Sequence, residues 1–92
     1  MTEKQDQRIA NIRNAIDAVD RRIIALLQER ATLASEIGRV KKDLGLPILD
    51  PAREGRIRDK LAHGPRGPMD TEQLVRIYEM IMAESRRLQE ED

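Results

Sequence analysis

The sequence predicts an all-α fold of three helices: a very long N-terminal helix, a short middle helix and a C-terminal helix. Three observations predict it. First, Ile9, Ile12, Ile16, Val19, Ile23, Leu26, Arg30, Leu33, Ile37, Val40 and Leu44 recur at alternating intervals of three and four without a break. That is the seam of one helix built to pack against others. Second, two shorter helical patterns follow, set off by glycine and proline. Third, the apolar-polar alternation of a strand is absent, and no internal repeat occurs.

Each element can be justified in turn. Met1 to Gln7 is polar and terminal, so residues 1–7 are expected to fray. The first helix is expected from about Asp6 to about Asp43, on the order of 55 Å at 1.5 Å per residue. A compact monomer of this size would be only about 25 Å across. Most of the seam must therefore be covered by another chain, or by a very extended partner fold. Gly38 weakens the helix by about 1 kcal/mol, which close helix packing would explain; the alternative is room for a ligand. Gly45 and Pro47 stop the helix. Asp50 then caps a second helix with Pro51 at its first position. That helix runs to about Ala62, with Glu54, Ile57 and Leu61 on one face. His63 to Pro68 is a loop by composition. Asp70, with Gln73 three residues on, starts a third helix as a capping box. It runs to about Gln89, and its inward stripe is Leu74, Ile77, Tyr78, Ile81, Met82, Ser85, Leu88 and Gln89.

Composition narrows the function. Ninety-two residues, 39% hydrophobic and 37% charged, suit one ordered domain over 1–92. Net charge is zero, so bulk electrostatics recommends neither nucleic acid nor an anionic membrane as a partner. The chain has no cysteine, which excludes a disulfide scaffold and thiol-ligated metal and suits a reducing compartment. No apolar run approaches the roughly 20 residues that span a bilayer, and the polar start is not a secretory signal. A cytoplasmic protein is expected. With Tyr78 as the single aromatic residue, the core is aliphatic and stacking platforms for single-stranded nucleic acid are missing.

One seam position holds Arg30. An arginine in an apolar stripe is costly unless something anionic meets it. The other polar residues on or beside apolar faces are Arg13, Lys41, Asp50, Arg53, Glu54, Ser85 and Gln89. This set is rich in cations and neutral donors and contains neither His nor Cys. A serine triad, a metal site and a thiol nucleophile all lack parts, and no phosphate-loop or dinucleotide glycine spacing occurs. No cofactor and no metal are expected. Arg30 and Lys41 are eleven residues apart, three turns and about 16 Å along one helix face. Two long side chains leaning together can grip one small dianion. Arg13 lies about 25 Å beyond Arg30, so a functional Arg13 must enter the site of a second chain. A two-fold dimer would supply two such mixed sites. Taken singly, these residues have plainer explanations. Lys41 and Arg13 fit solvated helix charges, Asp50 a helix cap, Arg53 and Glu54 partners at helix spacing, and Ser85 and Gln89 satisfied core polar groups.

Together they resemble the all-helical, AroQ-class chorismate mutases over nearly the whole chain, from about Ile9 to Gln89. The segments that carry the resemblance are Ile12-Arg13, Asp17 to Asp20 leading into Leu26 to Arg30, Gly38 to Lys41, Asp50 to Glu54, and Ser85 with Gln89. The resemblance implies an intertwined homodimer of three-helix chains that converts chorismate to prephenate on the route to phenylalanine and tyrosine. It implies that Arg30 binds one substrate carboxylate and the partner chain's copy of Arg13 the other. Lys41 and Gln89 would flank the ether oxygen of the breaking bond. Glu54 would meet the ring hydroxyl, helped by Asp50 and the backbone near Arg53, and Ser85 would line the carboxylate region.

Two rivals and one qualification accompany this expectation. Isochorismate-pyruvate lyases resemble the mutases and use a similar cationic pocket; the Arg53-Glu54 pair favours the mutase. A non-catalytic helical dimerisation module would explain the seam but leaves Arg30, Ser85 and Gln89 without a purpose. Related mutase domains are also fused to, or associated with, other shikimate-pathway enzymes. Nothing beyond a catalytic core is left over to serve as an amino-acid effector domain, so no feedback inhibition by phenylalanine or tyrosine is expected of the isolated chain.

Overall fold

The structure, a computed structural model, describes residues 2–91, so the expectations for Met1 and for a boundary at Asp92 lie outside it. Three helices follow in order, α1 (Glu3–Leu44), α2 (Pro51–His63) and α3 (Thr71–Glu90). No strand occurs among the described residues, and none of the helices is long and apolar enough to cross a membrane. Helix α1 starts three residues earlier than the seam alone suggests. The reason is local: the Gln5 amide donates to Thr2 Oγ1 at 3.1 Å, and the Thr2 amide donates to Gln5 Oε1 at 2.8 Å. Thr2 and Gln5 thus form a capping box that satisfies two backbone donors.

At the other end α1 closes in a Schellman motif. Gly45 takes a φ of 67°, the Leu46 amide donates to the Lys41 carbonyl at 2.8 Å, and the Gly45 amide donates to the Lys42 carbonyl at 3.2 Å. Asp50 caps α2 as expected, its Oδ1 accepting from the Arg53 amide at 3.0 Å with Pro51 next in line. Asp70 and Gln73 make the full capping box of α3, both bonds at 2.8 Å. His63 ends α2 with Nδ1 at 2.8 Å from the Asp59 carbonyl oxygen, a contact within the last turn of the helix.

Contacts within the chain group into two units divided after Arg30. Among the described residues the first unit is helix α1 up to Arg30. Its seam faces solvent in the single chain: Ile12 is 60% exposed, Leu26 62%, and Ile16, Val19 and Ile23 are also exposed. The second unit comprises the remainder of α1 with α2 and α3. Its buried residues are Ala34, Gly38 and Met82, the last 2% exposed. The α3 stripe is otherwise half-buried as expected, except that Ile77 is exposed while Val75 is half-buried. The continuing seam, Leu33, Ile37, Val40 and Leu44, is exposed here too.

Candidate active site

Lys41 is placed by the end of α1. The Schellman turn uses its backbone carbonyl and folds the following chain back, which brings the Ile48 carbonyl to its side chain. Lys41 Nζ donates to Ile48 O at 2.7 Å and to Gln89 Oε1 on α3 at 2.8 Å. An ammonium has three protons and no acceptor, so one N–H remains to be aimed at a ligand. Because Oε1 of Gln89 accepts from Lys41, the donor left on the same amide is Nε2. Two donors of this kind side by side suit an oxygen on which negative charge develops.

The approach of α3 to α1 that makes this pair possible depends on Gly38. A Cβ there would lie 2.6 Å from Gln89 Cα, 2.9 Å from Gln89 O and 3.0 Å from Gln89 Cβ. The glycine weakens the helix, and what it permits is close helix packing, the plainer of the two expectations. Its effect is nonetheless on the site, since the residue it admits is Gln89.

Helix α2 carries Glu54, whose side chain is 13% exposed. Its Oε2 accepts from Arg86 Nη1 of α3 at 2.5 Å, and its Oε1 lies 3.6 Å from Arg58 Nη2 one turn along α2. Arg58 in turn makes a two-point contact with Glu79, at 2.6 Å and 3.2 Å. The hydrogen bond from Arg58 holds the Glu79 carboxyl below its ordinary range, and the same bond raises the Arg58 guanidinium above its own. For Glu79 the sign is that of a depressed acid. Its stabilisation is present above the ordinary carboxylate value and is lost as pH falls through the lowered one. Both side chains keep much of their surface in solvent, 40% for Arg58 and 44% for Glu79, so the contribution is small. Ser85 Oγ donates to the Ile81 carbonyl at 2.9 Å, the usual back-bond of a helical serine.

Lys41, Glu54, Ser85 and Gln89 are thus half-buried residues of one unit, Lys41 and Gln89 in direct contact; Asp50 and Arg53 are exposed at the start of α2. In the first unit, Arg13 is exposed and Arg30 half-buried. Sequence patterning does not single out Arg58, Glu79 or Arg86. The Glu54-Arg58 spacing is a signal for the first; the other two need the register between α2 and α3.

The comparisons with known proteins add the family. The model of chorismate mutase type II matches residues 12–90. The chain belongs to this family. A chorismate mutase of Methanocaldococcus jannaschii is 31% identical over 92% of this chain and 87% of its own length. A bifunctional chorismate mutase/prephenate dehydratase of Aquifex aeolicus is 37% identical over 84% of this chain, which spans only 22% of that larger protein. Among solved structures, a chorismate mutase of Thermus thermophilus superposes with a TM-score of 0.89 at 38% identity, covering 92% of this chain and 97% of that one. The chorismate mutase of Helicobacter pylori in complex with prephenate gives 0.84 at 31% identity, covering 91% of each chain. The all-α, three-helix architecture expected from the seam is that of the family.

Proposed function

We propose that the chain isomerises chorismate to prephenate by holding and polarising its substrate, without covalent or acid-base steps. The observation that carries this reading is the Lys41 ammonium against the Gln89 amide, at 2.8 Å. The reaction is an intramolecular Claisen rearrangement. One carbon–oxygen bond breaks as one carbon–carbon bond forms within a single molecule, and no proton or nucleophile is needed. The protein's task is to hold the enolpyruvyl arm over the ring in near-attack geometry. Arg30, and Arg13 of a partner protomer, do this by clamping the two carboxylates in the two-pronged way open to guanidinium groups. As the ether bond lengthens, charge grows on its oxygen. Lys41 Nζ and Gln89 Nε2 stabilise that charge more than they stabilise the ground state. Glu54 accepts from the ring hydroxyl, Asp50 and the backbone near Arg53 shape that end, and Ser85 lines the carboxylate region.

The functional molecule in this proposal is a homodimer. The exposed aliphatic seam of α1 supports it, since a second copy of the same seam is the covering surface that self-complementary two-fold packing supplies. The proposal places the enzyme in the cytoplasm, as one catalytic unit over 1–92. Larger relatives that join a mutase to a second enzyme support association with another enzyme of the pathway.

The test is chorismate consumption by the purified protein, with the product identified as prephenate and the mass in solution measured on the same preparation. Fast conversion by a dimer is expected. Activity is also expected to stay nearly flat from mildly acidic to mildly alkaline pH, because an amide such as Gln89 donates in any protonation state. No conversion by a folded dimer, or elimination of pyruvate from isochorismate instead, would overturn the reading.

A further inference from the structure

The reaction needs only an acceptor for the ring hydroxyl, yet this chain surrounds Glu54 with far more charge than that. Arg86 closes on Oε2 at 2.5 Å and Arg58 stands 3.6 Å from Oε1, itself pinned by Glu79. These four side chains form an alternating row, Glu79, Arg58, Glu54, Arg86, that crosses from α3 to α2 and back to α3. Its formal charge is zero. A carboxylate standing alone in a half-buried site would attract a cation at least as well as a hydroxyl. A carboxylate in contact with one guanidinium and close to another does not. Its unfilled acceptor positions still take a neutral O–H, but an incoming ammonium meets two fixed cations within a few ångströms and loses its hydration without recompense.

We infer that Arg86, with Arg58 behind it, makes Glu54 selective for a neutral hydroxyl on the substrate ring over an ammonium at the same position. Arg86 touches no reacting atom; it is a specificity-determining residue acting through Glu54. The inference rests on the proposed contact between Glu54 and the ring hydroxyl. It explains why a carboxylate mostly hidden from solvent carries a contact from a second helix that a simple hydrogen-bond acceptor does not require. Arg58, held in a two-point contact with Glu79, adds its charge from 3.6 Å.

The test compares chorismate with its analogue bearing an amine in place of the ring hydroxyl. Both are assayed as substrates, and the analogue also as an inhibitor of chorismate turnover. Arg86→Gln keeps a hydrogen-bond donor near Glu54 and removes the charge; Arg86→Lys keeps the charge. The ratio of kcat/KM for chorismate to that for the amine is expected to fall at least about tenfold in Arg86→Gln, with tighter inhibition by the amine, and to stay near the parent value in Arg86→Lys. Equal losses for both substrates would make Arg86 a structural residue only and overturn the inference, as would an unchanged ratio. Glu54→Ala, which removes both acceptor oxygens, separates this from the reading beneath it. If Glu54→Ala leaves the KM for chorismate unchanged, the contact with the ring hydroxyl itself is wrong. If Glu54→Ala weakens chorismate binding while Arg86→Gln leaves the ratio alone, only the selectivity fails.

Discussion

Replacing Lys41 by alanine is expected to lower kcat/KM for chorismate by about 10²–10³-fold, the loss that follows removal of one preorganised donor from a developing oxyanion. The structure makes the effect larger than a single missing charge would suggest. Lys41 Nζ also holds Gln89 Oε1 and the Ile48 carbonyl. Without it the Gln89 amide loses the hydrogen bond that fixes its Oε1, so the second donor loosens as the first is deleted. Stability should change much less. Two hydrogen bonds of about 1 kcal/mol each are lost, at a half-buried position where water can replace them. Steady-state kinetics beside a thermal melt separates the two effects. A loss of less than about tenfold in a folded variant would remove Lys41 from this role.

Gly38→Ala is expected to show the second largest effect, and in the direction opposite to helix propensity. Alanine in a helix interior should stabilise by about 1 kcal/mol over glycine. Here its Cβ would sit 2.6 Å from Gln89 Cα and 2.9 Å from Gln89 O. These are backbone atoms, not the far end of a flexible chain, so relief requires α3 to shift against α1. Overpacking of that kind costs typically about 1–3 kcal/mol, which cancels or exceeds the propensity gain. Activity should suffer more than stability, because the displaced residue is Gln89. A misplacement of about 1 Å at a reacting centre can cost about 10²-fold in rate. The expected result is therefore a folded protein, neutral to modestly less stable, with a large loss of kcat. A more stable and fully active variant would show that the crossing relaxes without disturbing the amide.

The parts of the fold written in local chemistry are legible in the residues themselves. The three-four seam marks α1, Gly45 and Pro47 its end, and Asp50-Pro51 and Asp70 with Gln73 the starts of α2 and α3. The seam alone places the start of α1 too late, because it passes over the Thr2 and Gln5 capping box, which the sequence does contain. The candidate site is legible as a set of residues, chiefly through resemblance, and less so as an arrangement. Nothing in the spacing of Lys41 and Gln89, forty-eight positions apart, states that the two side chains meet. The Ile48 carbonyl is a backbone group and leaves no trace in residue identity. Arg86 and Glu79 read as ordinary helix-surface charges until the register of α2 on α3 brings them to Glu54 and Arg58. Exposure carries a similar trap. Ile77 fits the α3 stripe by periodicity, yet it is 50% exposed in the single chain.

The uncovered seam of α1 bears on how the protein survives dilution. If the second copy supplies the missing core, folding and association are one equilibrium, and the stability of a subunit has no value apart from its concentration. A tenfold dilution then weakens the folded state by about 1.4 kcal/mol per mole of dimer, with no contact altered. The melting temperature should climb with protein concentration, and specific activity should fall at the lowest enzyme levels. Cells that make little of the protein would therefore lose activity faster than they lose chain.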